Sequence, residues 1–67
     1  MSVLKVIEVL GNSTVSFDDA VKNVVTEASK TVKNIKSVYV KDMQATVEKN
    51  ELVEYRVTTK VCFGIMD

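Results

Sequence analysis

Few side chains in this chain are equipped for chemistry. There is no histidine, Cys62 is the only cysteine, and the acids Glu8, Asp18, Asp19, Asp42 and Glu54 are scattered. No nucleophile is paired with a base, and neither a phosphate loop nor an acid/base pair is present, so an enzyme is not expected. Zinc and copper are disfavoured because their usual imidazole and thiolate ligands are lacking. Oxygen chemistry remains, and a hard divalent cation, Ca²⁺ or Mg²⁺, is the metal expected, with Glu8, Asp18 and Asp19 as candidate ligands. One carboxylate per chain suffices if symmetry brings copies together around an axis. Each of these acids also has a structural reading: Asp18 and Asp19 as helix-capping groups, Glu8 as the partner of a lysine on a neighbouring strand. Cys62 reads as a core or interface residue, since a reactive thiol needs a lowered pKa.

The densest set of polar groups lies along Glu51 to Ile65. Val53, Tyr55, Val57, Thr59, Val61, Phe63 and Ile65 alternate with Leu52, Glu54, Arg56, Thr58, Lys60, Cys62 and Gly64. This period of two predicts a half-buried strand with an apolar face that needs cover and a face carrying Glu54, Arg56, Thr58 and Lys60 that meets water or a ligand.

The elements that position this strand follow in order. Val3 to Leu10 is apolar almost throughout and stops at Gly11-Asn12-Ser13, which predicts a strand and then a turn. Ser16 is the expected N-cap, with Asp19 at the reciprocal capping-box position. Phe17, Ala20, Val21, Val24, Val25, Ala28 and Val32 recur at helical spacing, which predicts an amphipathic helix ending close to residue 33, with Asn34 in the left-handed conformation beyond it. A second strand runs from Ile35 to Glu48. With Lys49-Asn50 as a two-residue hairpin turn, regular pairing sets Val38 against Val61, Val40 against Thr59, Asp42 against Val57 and Gln44 against Tyr55. On the opposite face Ser37 meets Cys62, Tyr39 meets Lys60, Lys41 meets Thr58, Met43 meets Arg56 and Ala45 meets Glu54.

The expected architecture is a single α+β domain spanning residues 1–67, β-α-β-β, with an antiparallel sheet in the order 1-3-2 packed on one helix. A chain of 67 residues buries only about 60% of the surface its unfolded form exposes. Without disulfides, self-association is the expected supplement. Lysine plus arginine balances aspartate plus glutamate at nine each, which argues against nucleic acid and anionic membranes as partners. The opening MSVLKVIEVLGNS lacks the pattern of a signal peptide or spanning helix, and a cytoplasmic location is expected.

Lys5-Val6-Ile7-Glu8-Val9-Leu10-Gly11 with Ser13, Ser16-Phe17-Asp18-Asp19-Ala20, Asn34-Ile35, and Glu54-Tyr55-Arg56-Val57-Thr58-Thr59-Lys60-Val61-Cys62-Phe63 together resemble the dodecins, small flavin-binding proteins. The resemblance covers nearly the whole chain. It implies a homododecamer, hollow and of cubic symmetry, that binds flavins (FMN, FAD or riboflavin) in pairs between subunits for storage. A carboxylate near a threefold axis of such a shell becomes three. Two departures bear on the ligand. Dodecins that hold flavin tightly carry a stacking tryptophan where this chain has Ser37, and a glutamine that reaches the ring edge where it has Arg56. Ser37, Tyr39 and Arg56 are therefore the candidate cofactor-binding residues, with Tyr39 placed either to supply a substitute ring or to pack in an interface. Stacking is worth ~1–3 kcal/mol per ring, so weakened flavin binding is expected, with a cation-binding shell as the alternative.

Overall fold

The structure, a computed structural model, describes residues 3–65. Strand β1 spans Leu4–Ser13, helix α1 Phe17–Ala28, β2 Ile35–Glu48 and β3 Glu51–Gly64. The sheet order is β1-β3-β2 with both neighbouring pairs antiparallel, as the alternation and the hairpin imply. Both residues of the Lys49-Asn50 turn have positive φ, 53° and 65°, the requirement of a type I′ hairpin turn.

The core lies between α1 and the central strand. Val57, Thr59 and Val61 of β3 are completely buried beneath Ala20 and Val24, and Ile7, Val9, Val38 and Val40 fill in around them. Thr59 is tolerated there because its hydroxyl donates to the Val9 carbonyl oxygen at 2.7 Å, which satisfies that polar group under the helix. Phe17 meets Tyr55 edge to face, with centroids 5.1 Å apart, at the end of the core.

Four expectations change. Gly11-Asn12-Ser13 is not a turn but the last three residues of β1, paired with Val57, Arg56 and Tyr55. The glycine serves helix packing: a Cβ there would overlap Val24 Cγ2 and lie 2.8 Å from the Ala20 carbonyl oxygen. Next, α1 ends at Ala28, well short of residue 33. The Ser29 hydroxyl turns back to the Thr26 carbonyl, and the chain continues as a looser turn in which Val32 N–H still reaches the Ala28 carbonyl. Asn34 does adopt the left-handed conformation, with φ 62°. The capping box is closed differently as well. Asp19 N–H donates to Ser16 Oγ at 3.0 Å, but the Asp19 carboxylate accepts from buried Ser13, whose Oγ also receives the Val15 and Ser16 N–H groups. Finally, the β2–β3 register holds at Ser37–Cys62, Val38–Val61, Tyr39–Lys60 and Val40–Thr59 and then shifts, so that Asp42 faces Thr58, Met43 faces Val57, Gln44 faces Arg56 and Ala45 faces Tyr55. Lys41 is the extra residue of a bulge. Regular pairing would point the Asp42 carboxylate under the helix, where burying an unpaired charge costs several kcal/mol; the bulge returns it to the open face.

Beyond Ser13 the sheet has only two strands. The β2–β3 hairpin continues as an arm that gives the molecule its 51 Å length against widths of 19 and 14 Å. Val47, Leu52 and Val53 on this arm are exposed, as are Leu4, Val6 and Leu10 along β1. A lone hairpin is marginal in water, so the arm is a segment whose apolar residues lack cover within one protomer.

Candidate functional site

The sheet face away from α1 is organised in cross-strand rows, one residue from each strand. From the Leu4–Gly64 end these rows are Val6–Cys62–Ser37, Glu8–Lys60–Tyr39, Leu10–Thr58–Asp42 and Asn12–Arg56–Gln44. Ser37, Tyr39 and Arg56 thus share this face, as their alternation along the strands implies. They do not share one spot. Ser37 and Tyr39 are neighbours on β2, whereas Arg56 sits opposite Asn12, six residues along β3 from the Cys62 that faces Ser37. At about 3.3 Å per residue the two ends are roughly 20 Å apart. Ser37 is exposed, and Tyr39 is 65% exposed and is the one aromatic side chain in these rows.

Arg56 is held in place. Its Nε donates to Asn12 Oδ1 at 2.9 Å and its Nη2 to Glu54 Oε1 at 3.3 Å. Asn12 is itself anchored, because its main-chain carbonyl accepts from Asn23 Nδ2 of α1 at 2.9 Å. Asn12 and Gln44 were not legible as members of this site. The first sits in a Gly-Asn-Ser triplet whose composition says turn, and the second reaches the open face only through the bulge at Lys41. A groove of about 350 Å³ between α1 and the β1 edge, lined by Val9, Leu10, Gly11, Asn12, Asn23, Val24 and Glu27, adjoins Asn12 but contains none of the three predicted residues.

The proposed metal ligands are separated by the sheet. Glu8 lies on the open face with Lys41 Nζ 3.5 Å from its carboxylate, both side chains about half exposed, a pairing worth under about 1 kcal/mol. Asp18 and Asp19 are in the first turn of α1, on the other side, with Asp18 exposed and Asp19 engaged by Ser13. Among the described residues no three metal-ligating side chains come together within one protomer. No helix among them is long and apolar enough to cross a membrane.

The family model for Dodecin matches residues 3–66. The chain belongs to the Dodecin family. Among solved structures it is similar to the dodecin of Streptomyces coelicolor, with 29% identity over 98% of this chain and 94% of that one and a TM-score of 0.93. A mutant of the Thermus thermophilus dodecin matches with 25% identity over the full length of both chains and a TM-score of 0.93. A third similar structure is the calcium dodecin of Mycobacterium tuberculosis, described as a calcium-chelating immunodominant antigen with a novel calcium-binding site, at 29% identity over 97% and 93% of the two chains and a TM-score of 0.83. No curated protein sequence matches the chain. The dodecin fold is therefore shared along the whole described length, and the β-α-β-β order with the 1-3-2 sheet is that of the family.

Proposed function

We propose that this chain is the subunit of a homododecameric shell that sequesters a small flavin-type ligand between subunits, without catalysing a reaction on it. The observation that carries this reading is the composition and length of the open face. It holds an exposed tyrosine near Ser37 and an anchored arginine roughly 20 Å away on the same surface. One planar ring system does not reach both ends within a protomer, so a ligand touching both sets is held between two copies. The exposed apolar residues of the hairpin arm and of β1 support the same assembly, since a chain this small gains from burying them against neighbours. Ser37 offers no ring to stack on, so affinity rests on Tyr39 and on polar contacts and is lower than where a tryptophan stands.

The test combines sedimentation with flavin titration. A single dodecameric species that binds riboflavin or FMN in the micromolar range or weaker, with partial fluorescence quenching, is the expected result. A stable folded monomer at micromolar concentration overturns the assembly. Undiminished flavin fluorescence at millimolar protein overturns the ligand.

A second reading is favoured by the calcium dodecin of Mycobacterium tuberculosis, whose description names a calcium site. In that reading Ca²⁺ or Mg²⁺ is held at a subunit junction by Asp18 or Glu8 from symmetry-related copies, since Asp19 is engaged in the cap. EDTA lowering the melting transition, and Ca²⁺ restoring it, supports this reading; no shift in either step, with no divalent metal by elemental analysis, removes it.

A further inference from the structure

The row Asn12–Arg56–Gln44 has a donor balance unlike the rest of the open face. A guanidinium carries five N–H donors and no acceptor. Two are engaged, Nε by Asn12 and one Nη2 proton by Glu54, which leaves both N–H groups of Nη1 and one of Nη2 without a partner among the described residues. Because arginine cannot accept, the Asn12 amide has only one sensible orientation, with its oxygen toward Arg56 and its Nδ2 donors turned away. Gln44 stands opposite Arg56 with its side chain exposed. The guanidinium is also pinned from two sides, with only 35% of the side chain exposed, and Asn12 is braced by Asn23 of α1. A fork fixed in this way loses little further freedom when it takes a ligand.

We propose that this row is a subsite for an oxyanion, a phosphate or carboxylate arm of the molecule held on the open face. The inference rests on the reading that this face holds a ligand. Asymmetry of charge is the reason: a side-chain amide at this position offers both a donor and an acceptor to a ring edge, whereas Arg56 offers donors alone and a positive charge, and the free amide of Asn12 adds donors beside it. Glu54 and Asp42 are the acids on the adjoining rows. Glu54 competes for one Nη2 proton through a single 3.3 Å contact and leaves the Nη1 side open.

The experiment compares riboflavin, which is neutral, with FMN, which carries the same ring and a phosphate, by titration against the assembled full chain. FMN is expected to bind on the order of tenfold more tightly, the worth of one charge-assisted hydrogen bond. Arg56→Gln brings the ratio of the two affinities close to one. Glu54→Gln raises FMN affinity by removing the negative charge that competes with the ligand for the guanidinium, whereas a purely structural Arg56–Glu54 pair predicts no gain. Equal affinities of the unaltered protein for the two flavins overturn the proposal while leaving the flavin reading intact. If neither flavin binds, that reading fails, and the subsite is tested alone. Inorganic phosphate or acetate, against chloride at equal ionic strength, then raises the melting transition of the unaltered protein but not of Arg56→Gln, and the stronger of the two identifies the arm. A transition indifferent to both anions overturns the subsite.

Discussion

Replacing Gly11 with alanine tests how closely the helix lies on the sheet. Gly11 does not have positive φ, so its backbone conformation is open to any residue, and alanine in such a place ordinarily stabilises by about 0.4–1 kcal/mol by restricting the unfolded chain. The packing reverses the sign. A Cβ at this position overlaps Val24 Cγ2 and comes to 2.8 Å from the Ala20 carbonyl oxygen, with Val57 Cγ2 at 3.5 Å. Val24 has a methyl that a rotamer change moves, at the cost of disturbing a side chain that is 2% exposed. The Ala20 oxygen is helix backbone, and clearing it requires α1 to shift. Overpacking of this kind costs about 1–3 kcal/mol, so after the entropic offset Gly11→Ala is expected to destabilise by about 1–2 kcal/mol, or on the order of 10 °C in a domain of this size.

The assay is urea denaturation at fixed protomer concentration, since the proposed assembly makes the midpoint concentration-dependent. Val24→Ala removes the methyl contact and leaves the carbonyl contact. The pair therefore gives a double-mutant cycle in which Gly11→Ala costs less in the Val24→Ala background, with a coupling of about 0.5 kcal/mol or more. An unchanged or raised midpoint for Gly11→Ala in the otherwise unaltered chain refutes the close approach, and with it the reason given for a glycine in this strand.

Ser37→Trp restores a ring at the end of the face near Tyr39 and is expected to tighten flavin binding by ~1–3 kcal/mol, read as deeper fluorescence quenching; unchanged affinity shows that ligand does not visit that end. Deleting Lys41 removes the extra residue and leaves Val40 opposite Thr59 and Asp42 opposite Thr58 in regular alternation, so it is expected to cost little more than Lys41→Ala, which loses an exposed pair with Glu8 worth under about 1 kcal/mol; a loss of several kcal/mol in denaturation for the deletion alone excludes the parity argument. Val57→Asp places a charge at a position with 0% exposure and is expected to yield no soluble assembly, which size-exclusion chromatography of the expressed variant decides.

The topology was legible because two signals agree: the period of two along β3, and a two-residue turn that commits β2 to pair with it. The bulge was less visible, since alternation says nothing about an inserted residue. Its trace is a conflict in the regular register, which sends Asp42 and Gln44 beneath the helix opposite Val57 and Tyr55. The turn composition of Gly11-Asn12-Ser13 misled for three separate reasons. Gly11 is there for the helix, Asn12 for Arg56 and the helix side chain Asn23, and Ser13 for the N-terminal turn of α1. Each of these partners is far along the chain or across the sheet, beyond the reach of local propensity. Ser37 and Arg56 were correctly put on one face, but their separation depends on counting rows along β3, which alternation alone leaves open.

On the proposed function, that separation is expected to couple ligand binding to assembly. Ser37 and Tyr39 belong to one end of the open face and Arg56 to the other, and the proposed ligand meets both only where two copies bring opposite ends together. Such a ligand binds the assembled state and not the free protomer, so it stabilises the shell by mass action, by about 2.7 kcal/mol at a free concentration one hundred times its dissociation constant. The perturbation is dilution: sedimentation of the protein at falling concentration, with and without saturating FMN, is expected to show dissociation moved to lower protomer concentration when FMN is present. Arg56→Gln diminishes the shift and Ser37→Trp enlarges it, since each acts on one end of the same composite site. If FMN binds while the dissociation curve stays where it was, the ligand contacts a single protomer equally well, and the argument that the two ends of this face cooperate across subunits is wrong.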